Sequence, residues 1–257
     1  MAHDKIPKSH PRYKSLMIRE KLVEGFRRGL VVPQGLIAHG RGEAFDYILG
    51  ERTHWFALEA ERAAVAALLL AERPVISVNG NYAALAAREI GELARLTGAL
   101  VEVNLFHRTE DRVRRIYGHL KDHGVPNLMD PECEKTHIPG LESMRGIVCV
   151  EGLYKADVVL LAIEDGDRTE AFVAAGKAVA AIDLNPFSRT AQKATITIVD
   201  EAIRATRNMI AIARDLKGKS REELESIIRS YDNRRILSAA FKAMLDRLSY
   251  AVERGFL

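Results

Sequence analysis

The chain has 257 residues, 28% of them charged, yet its formal charge at neutral pH is only +3. That balance does not point to a partner surface built on one concentrated basic face, so neither nucleic acid nor a membrane is expected as a partner; no apolar run approaches the length of a membrane span. The length admits one large α/β domain with a sizeable core.

Arg27-Arg28, residues 112–115 and Arg234-Arg235 read as solvated basic helix faces. Two cysteines, Cys133 and Cys149, and no signal peptide point to a reduced, cytoplasmic setting. Cys149, among Ile147, Val148 and Val150, reads as a small core residue.

The chain is polar up to Ser9, which is predicted to cap a helix over 11–28 that Gly29 stops. Leu16, Met17, Leu22, Val23 and Phe26 fall at helical spacing on its buried face, with Arg19 among them. The glycines of His39-Gly40-Arg41-Gly42 predict a loop that brings backbone close to a ligand and leaves Arg41 free. A short helix to Leu49 and a longer one over 54–71 follow, so residues 1–72 form a helical segment that caps the sheet or mediates dimerisation. The first sheet strand is expected at 74–78, followed by a helix to Leu96. A second strand over 99–103 ends in Asn104, and an arginine-rich helix runs from Thr109 to His123. Residues 124–146 carry Pro126, Pro131 and Pro139 and read as an irregular excursion, of a length that marks a functional or mobile loop.

Two unbroken apolar runs, 157–163 and 178–182, are each bounded by Gly, Pro, Asn or Asp and read as strands buried on both faces. With the helix expected over 168–177 between them they make a right-handed βαβ unit and a parallel sheet. Residues 194–199 alternate and are richer in threonine, which predicts a more exposed strand. Helices over 200–216, after the Ser220 cap, and over 233–254 complete the chain. The last carries Leu237, Phe241, Met244, Leu248 and Ala251 on one stripe, which covers either its own sheet or a second subunit. The expected fold is α/β: a Rossmann-like parallel sheet over 73–216 flanked by helices, between the N-terminal helical segment and C-terminal helices over 217–257.

In open α/β sheets ligands bind outside the carboxyl ends of the strands, so the polar residues following each strand are the site candidates. Residues 79–84 hold one glycine where the dinucleotide fingerprint has three, and Asn104 stands where a ribose-binding acid belongs, which argues against a nicotinamide enzyme. Asn79, Gly80 and Asn81 either offer backbone N–H groups to a phosphate or form a tight βα turn. The acidic residues at 164–167 either bind magnesium or cap the next helix. Arg168 and Arg108 sit just beyond strand ends. The histidines lack zinc-type spacing, and no nucleophile elbow is present.

The stretch 164–171, Glu-Asp-Gly-Asp-Arg-Thr-Glu-Ala, and 181–192, Ala-Ile-Asp-Leu-Asn-Pro-Phe-Ser-Arg-Thr-Ala-Gln, closely resemble the archaeal phosphopantothenate synthetases, or 4-phosphopantoate–β-alanine ligases. Residues 6–13, 35–47 and 138–143 match as well, in the same order, so the resemblance covers about 6–207. It implies a cytoplasmic, homodimeric ligase that uses ATP with Mg2+ and joins 4-phosphopantoate to β-alanine, giving 4′-phosphopantothenate, AMP and diphosphate through an acyl-adenylate. Arg19, Arg41 and Arg189 are the expected contacts to the ATP phosphates. Asp183, Leu184, Asn185 and Thr190 are expected at the nucleoside, and Asn79, Asn81, Arg108 and Arg168 at phosphopantoate. No catalytic base and no protein metal ligand is assigned. The alternative reading is a nucleotide-binding regulatory module without turnover.

Overall fold

The short apolar runs that punctuate the middle of the chain become a parallel sheet because each is bordered by residues that stop it. A computed structural model describes residues 6–255, so the outermost residues of the two terminal segments lie outside the described part. Five parallel strands stand in the order β2-β1-β5-β6-β7: β1 (Pro74–Val78), β2 (Leu100–Val103), β5 (Val158–Ala162), β6 (Ala178–Ile182) and β7 (Ile196–Ile198). The order reverses between β1 and β5, which opens a crevice at their carboxyl ends.

Alternate residues of each strand serve opposite faces. Ile76, Val78, Leu160 and Ile182 join a core with α3 (Trp55–Leu70), α4 (Gly80–Thr97) and α8 (Ala202–Leu216). Val75, Val159, Leu161 and Val179 pack on the other side against Phe172 of α6 (Gly166–Ala174) and against Ile138, Leu141 and Leu153. Each fully buried aliphatic side chain contributes about 1.5–3 kcal/mol. The first core also takes in Leu22 of α1 (Tyr13–Arg27), Leu49 of α2 (Pro33–Leu49), Val113 of α5 (Glu110–Asp122), Leu224 of α9 (Arg221–Ser230) and Ile236 of α10 (Asn233–Arg254). Ser220 caps α9 in a reciprocal box with Glu223. No helix among the described residues is long and apolar enough to cross a membrane.

Four expectations are corrected. Ser9 does not cap the first helix, whose N-cap is Arg12 without a side-chain hydrogen bond. Gly40, Arg41 and Gly42 are not in a loop but inside α2. Helical glycine costs about 1 kcal/mol against alanine, and α2 is held by its packing: Arg12 and Arg19 both pair with its Glu43, and a side chain at Gly35 would meet Asn81 Oδ1 at 2.3 Å. The threonine-rich β7 is fully buried rather than exposed, because the tail covers this edge. The Thr197 N–H is taken by Asn233 Oδ1 at 2.8 Å and by the Tyr231 hydroxyl at 3.1 Å. The cysteines are not reduced: Cys133 and Cys149 form a disulfide.

That disulfide pins the excursion after α5, which is irregular but not detached. Residues 127–129 run beside β2, with Val101 N–H on Asn127 and Met129 N–H on Val101. β3 (Lys135–His137) then pairs antiparallel with β4 (Ile147–Cys149), placing Lys135 opposite Cys149 and so bringing Cys133 into bonding range.

Candidate functional site

Five strands deliver their carboxyl ends to one edge of the sheet, and two adjoining cavities open there. The smaller, about 110 Å³, lies over β5, β6 and β7 and is lined by His39, Arg41, Gly42, Glu164, Asp183, Leu184, Asn185, Ser188, Asp200 and Glu201, among others. The larger, about 540 Å³, lies over β1 and β2 and is lined by Asn79, Gly80, Asn81, Phe106, His107, Arg112 and Arg145, among others. Ala38, Ile163 and Asp165 belong to both walls, so the two cavities form one groove. Ile163 has φ +53°, a left-handed conformation that strains a β-branched residue by about 1–3 kcal/mol. It is held there where β5 gives way to the shared wall.

Local sequence shapes the smaller cavity. Asp183 follows β6 and accepts from the Asn185 N–H at 2.9 Å and from the Ser188 hydroxyl, while Ser188 Oγ caps α7 (Arg189–Lys193) through the Ala191 N–H at 2.9 Å. Burial pushes the Asp183 carboxyl above its ordinary range, and these hydrogen bonds oppose the shift. Arg41 enters from α2 and makes no ion pair among the described residues. His39, one turn before Glu43, is kept below its ordinary pKa mainly by burial, and its Nε2 is buried without a partner. A neutral imidazole and an unpaired guanidinium therefore share this wall.

Asn79 ties the two cavities together. Its amide donates to the carbonyls of Ala162 at 2.8 Å and Ile163 at 3.0 Å, and its Oδ1 caps α4 through the Tyr82 N–H at 3.0 Å. Asn81 donates to the Gly35 carbonyl at 2.7 Å, fixing α2 against the start of α4. Beneath the strand ends lies a charged layer. Arg168, fully buried, donates to Asn104 and Ser77 and pairs with Glu164 at 3.2 Å. Arg145, nearly as buried, pairs with Glu164 and stands 3.4 Å from Asp165. Burial lowers both guanidiniums to about 10. Glu102 accepts the N–H groups of Cys149 at 2.9 Å and Leu153 at 2.7 Å, and burial lifts its carboxyl to about 7.

Of the residues singled out from sequence, Arg41, Asp183, Leu184 and Asn185 meet in the smaller cavity and Asn79 and Asn81 in the larger. The other five stand apart. Arg19 is half-exposed on α1 and paired with Glu43 at 2.9 Å; Arg189 is exposed and paired with Asp167 and Glu170 of α6. Thr190 is buried and donates to the Glu164 carbonyl at 2.8 Å. The Arg108 side chain is buried, 3.5 Å from Glu110, and Arg168 lies under the cavity floor. His39, Ser188, Asp200, Glu201, Arg112 and Arg145 line the groove without having been singled out. Ser188 caps α7 and Arg112 lies in the first turn of α5, each on the helix that follows a strand-end loop, a signal available in sequence. Arg145 comes from the hairpin and carries no such signal.

A family model described as phosphopantothenate/pantothenate synthetase matches residues 56–247. The chain is 54% identical to the 4-phosphopantoate–β-alanine ligase of Thermococcus kodakarensis over 256 residues, covering 97% of this chain and 96% of that one. It is 51% identical to the protein of that name from Methanosarcina mazei, covering 98% and 99%, and 49% identical to the one from Methanospirillum hungatei, covering 95% and 98%.

Proposed function

The chain belongs to the phosphopantothenate/pantothenate synthetase family, and from that premise we propose that it is an ATP-dependent ligase of coenzyme A biosynthesis. It joins 4-phosphopantoate to β-alanine, as the names of its relatives state for them. The observation that carries the reading is the pair of joined cavities, one beside Asp183 and Asn185 and one lined by arginines, sharing the wall at Ile163 and Asp165. A nucleotide sensor without turnover has use for only the first.

In this reading Arg41, Asp183, Leu184 and Asn185 hold ATP, with Thr190 bracing the wall through Glu164. Arg19 and Arg189 reach the phosphates by exchanging a carboxylate partner for a phosphate oxygen, a trade open to half-exposed guanidiniums. Asn79 and Asn81 shape the acid side, and Arg108 and Arg168 support it from below. The pantoate carboxylate attacks the α-phosphorus and diphosphate leaves; the β-alanine amine then attacks the acyl carbon and AMP leaves. Bringing two anions together requires donors fixed in advance, which buried arginines supply.

Among the described residues no group of three His, Cys, Asp or Glu side chains is arranged to hold a metal, and Asp165 is the half-exposed carboxylate at the shared wall. In this reading Mg2+ arrives with the ATP phosphates and water. We also place the enzyme in the cytoplasm and assign it a dimer: Leu245, Leu248 and Val252 of α10 and Met17 and Phe26 of α1 are exposed. A monomer mass in light scattering at micromolar concentration removes the dimer.

Labelled ATP incubated with the protein, 4-phosphopantoate and β-alanine should yield AMP in step with 4′-phosphopantothenate, and only when both co-substrates are present. ADP as the main nucleotide product overturns the adenylate route.

A further inference from the structure

We propose that Glu61 of α3, which lines neither cavity, is a positioning residue for the nucleotide: acting through Asn208 and Thr53, it fixes the orientation of Asp200 on the wall of the smaller cavity. The assignment rests on the ligase reading above for the identity of the ligand, ATP.

Asp200 follows β7, is buried and still contributes to the wall of the smaller cavity. Its two carboxyl oxygens have separate partners. Oδ1 accepts the Glu201 N–H and Arg204 Nε, both at 2.8 Å, and Arg204 Nη2 also reaches Asp46 of α2 at 2.6 Å. Oδ2 accepts the Thr53 hydroxyl at 2.6 Å. That bond uses the only hydrogen of the hydroxyl, so towards Asn208 the Thr53 oxygen acts as acceptor, taking Nδ2–H at 3.1 Å. The second hydrogen of the same amide goes to Glu61 Oε1 at 3.3 Å. Every donor in this chain is committed, and Glu61 is one of its two terminal acceptors. Without Glu61 the amide is free to turn, and Thr53 loses the contact that aims its hydroxyl at Asp200. Arg204 joins Asp200 to the helix that carries Arg41, so a displaced Asp200 also disturbs that helix.

The charges of this buried layer lead to the same residue. One guanidinium, Arg204, is the counter-charge of both Asp46 and Asp200, and among the described residues Glu61 has no ion pair of its own. Glu61 is fully buried and its Oε2 has no hydrogen-bond partner among the described residues. Burial, and then the charge of Asp200, push its carboxyl up to about 9. Asp200 and Arg204 are the charged groups acting on it, both from the side of α8. The pairs Glu59–Arg235 and Arg62–Asp215, which tie α3 to α10 and α8, lie at the surface, and α9 brings Leu224 to the shared core. Below pH 9 Glu61 accepts from Asn208 without adding charge. Above it, ionised Glu61 places a second uncompensated negative charge behind the wall that receives a polyanion.

The test titrates the full-length protein with ATP calorimetrically at pH 7.5 and pH 10, with Tm recorded for every variant. Glu61→Gln keeps an acceptor for Asn208 and carries no charge at either pH. It should bind ATP within about twofold of wild type at pH 7.5, and over the interval to pH 10 the wild type should lose roughly threefold to tenfold more affinity than the variant. Glu61→Leu and Thr53→Val each cut the chain and should weaken ATP roughly threefold to tenfold at pH 7.5. The double variant should bind no more weakly than the worse single one, because both changes cut one chain, whereas unrelated structural damage adds. Should Glu61→Leu fail to fold, Thr53→Val and the pH response of Glu61→Gln decide without it. Parallel pH responses of wild type and Glu61→Gln, additive losses in the double variant, or wild-type affinity in a folded Thr53→Val overturn the assignment. A wild type that binds ATP but forms no phosphopantothenate overturns the ligase reading alone, and the same titrations still decide the role of Glu61. A wild type that binds no ATP overturns both.

Discussion

Arg168→Met should unfold the floor of the site before it alters any contact with substrate. The guanidinium is fully buried, donates to Asn104 and Ser77, pairs with Glu164 at 3.2 Å and stands 5.1 Å from the Phe172 ring centre. Methionine fills most of its length but leaves those polar partners unsatisfied. Breaking a buried pair by removing one partner costs about 3–5 kcal/mol. For a chain of this size each kcal/mol moves Tm by about 2–4 °C, so a fall of about 6–20 °C is expected. The damage should spread, because Asn104, freed of Arg168, also holds the carbonyls of Arg145 at 3.2 Å and Ile147 at 3.0 Å. The 4-phosphopantoate KM should therefore rise together with the loss of stability, and the ATP KM should change less. Calorimetry and steady-state kinetics on one preparation provide both numbers. A Tm within about 2 °C of wild type with a raised 4-phosphopantoate KM refutes this reasoning, and makes Arg168 a direct substrate contact.

Arg41→Ala removes an unpaired cation from the nucleotide cavity, so ATP affinity should fall roughly tenfold to a hundredfold with Tm nearly unchanged, as checked by calorimetric titration and melting. Glu61, buried in α3 and 3.3 Å from Asn208, has its carboxyl pushed up to about 9, chiefly by burial and then by Asp200. The folded protein keeps a proton that the unfolded chain releases above pH 4.5, so stability is lost as pH rises from there to about 9, on the order of 3 kcal/mol by pH 7. Glu61→Gln should abolish that slope, matching wild-type Tm near pH 5 and exceeding it at pH 8; parallel pH–Tm curves for the two proteins would count against it. Opening the Cys133–Cys149 link with a reductant should cost about 3 kcal/mol, as expected for a loop of about 15 residues, and should raise the 4-phosphopantoate KM by loosening the hairpin that carries Arg145. Melting and kinetics with and without reductant check both effects.

The strands were legible because their stop signals are adjacent to them. Residues 74–78 and 178–182 are found at the boundaries their apolar runs predict, and β5 lies within 157–163. The misreadings arose where the deciding partner is far along the chain. Thr197 read as part of an exposed edge until Tyr231 and Asn233 cover it, while Thr195 is exposed. The glycines at 40 and 42 read as a loop because their helical cost is local, whereas the support for α2 comes from Arg12, Arg19 and Asn81. Cys149 among aliphatic neighbours read as a core thiol because its partner is brought beside it only by the β3–β4 register.

The same division runs through the site. Asp183, Leu184 and Asn185 follow β6 directly, so strand position alone leads to the smaller cavity. The arginines cannot be sorted that way, because residue type and placement after a strand say nothing about how many partners a guanidinium has already found. Arg168 follows β5 within a few residues, yet three side chains occupy it in the interior. Arg189 stands just beyond β6, yet α6 engages it from outside. Arg145 belongs to a hairpin with no strand-end signature, and Glu164 and Asp165 engage it after β5. For a ligase that must bring two anions together, the cations that matter are those no carboxylate of the fold has already engaged. That is a property of tertiary contacts, and it separates Arg41 and Arg112, which no carboxylate engages among the described residues, from arginines that look equivalent in the sequence.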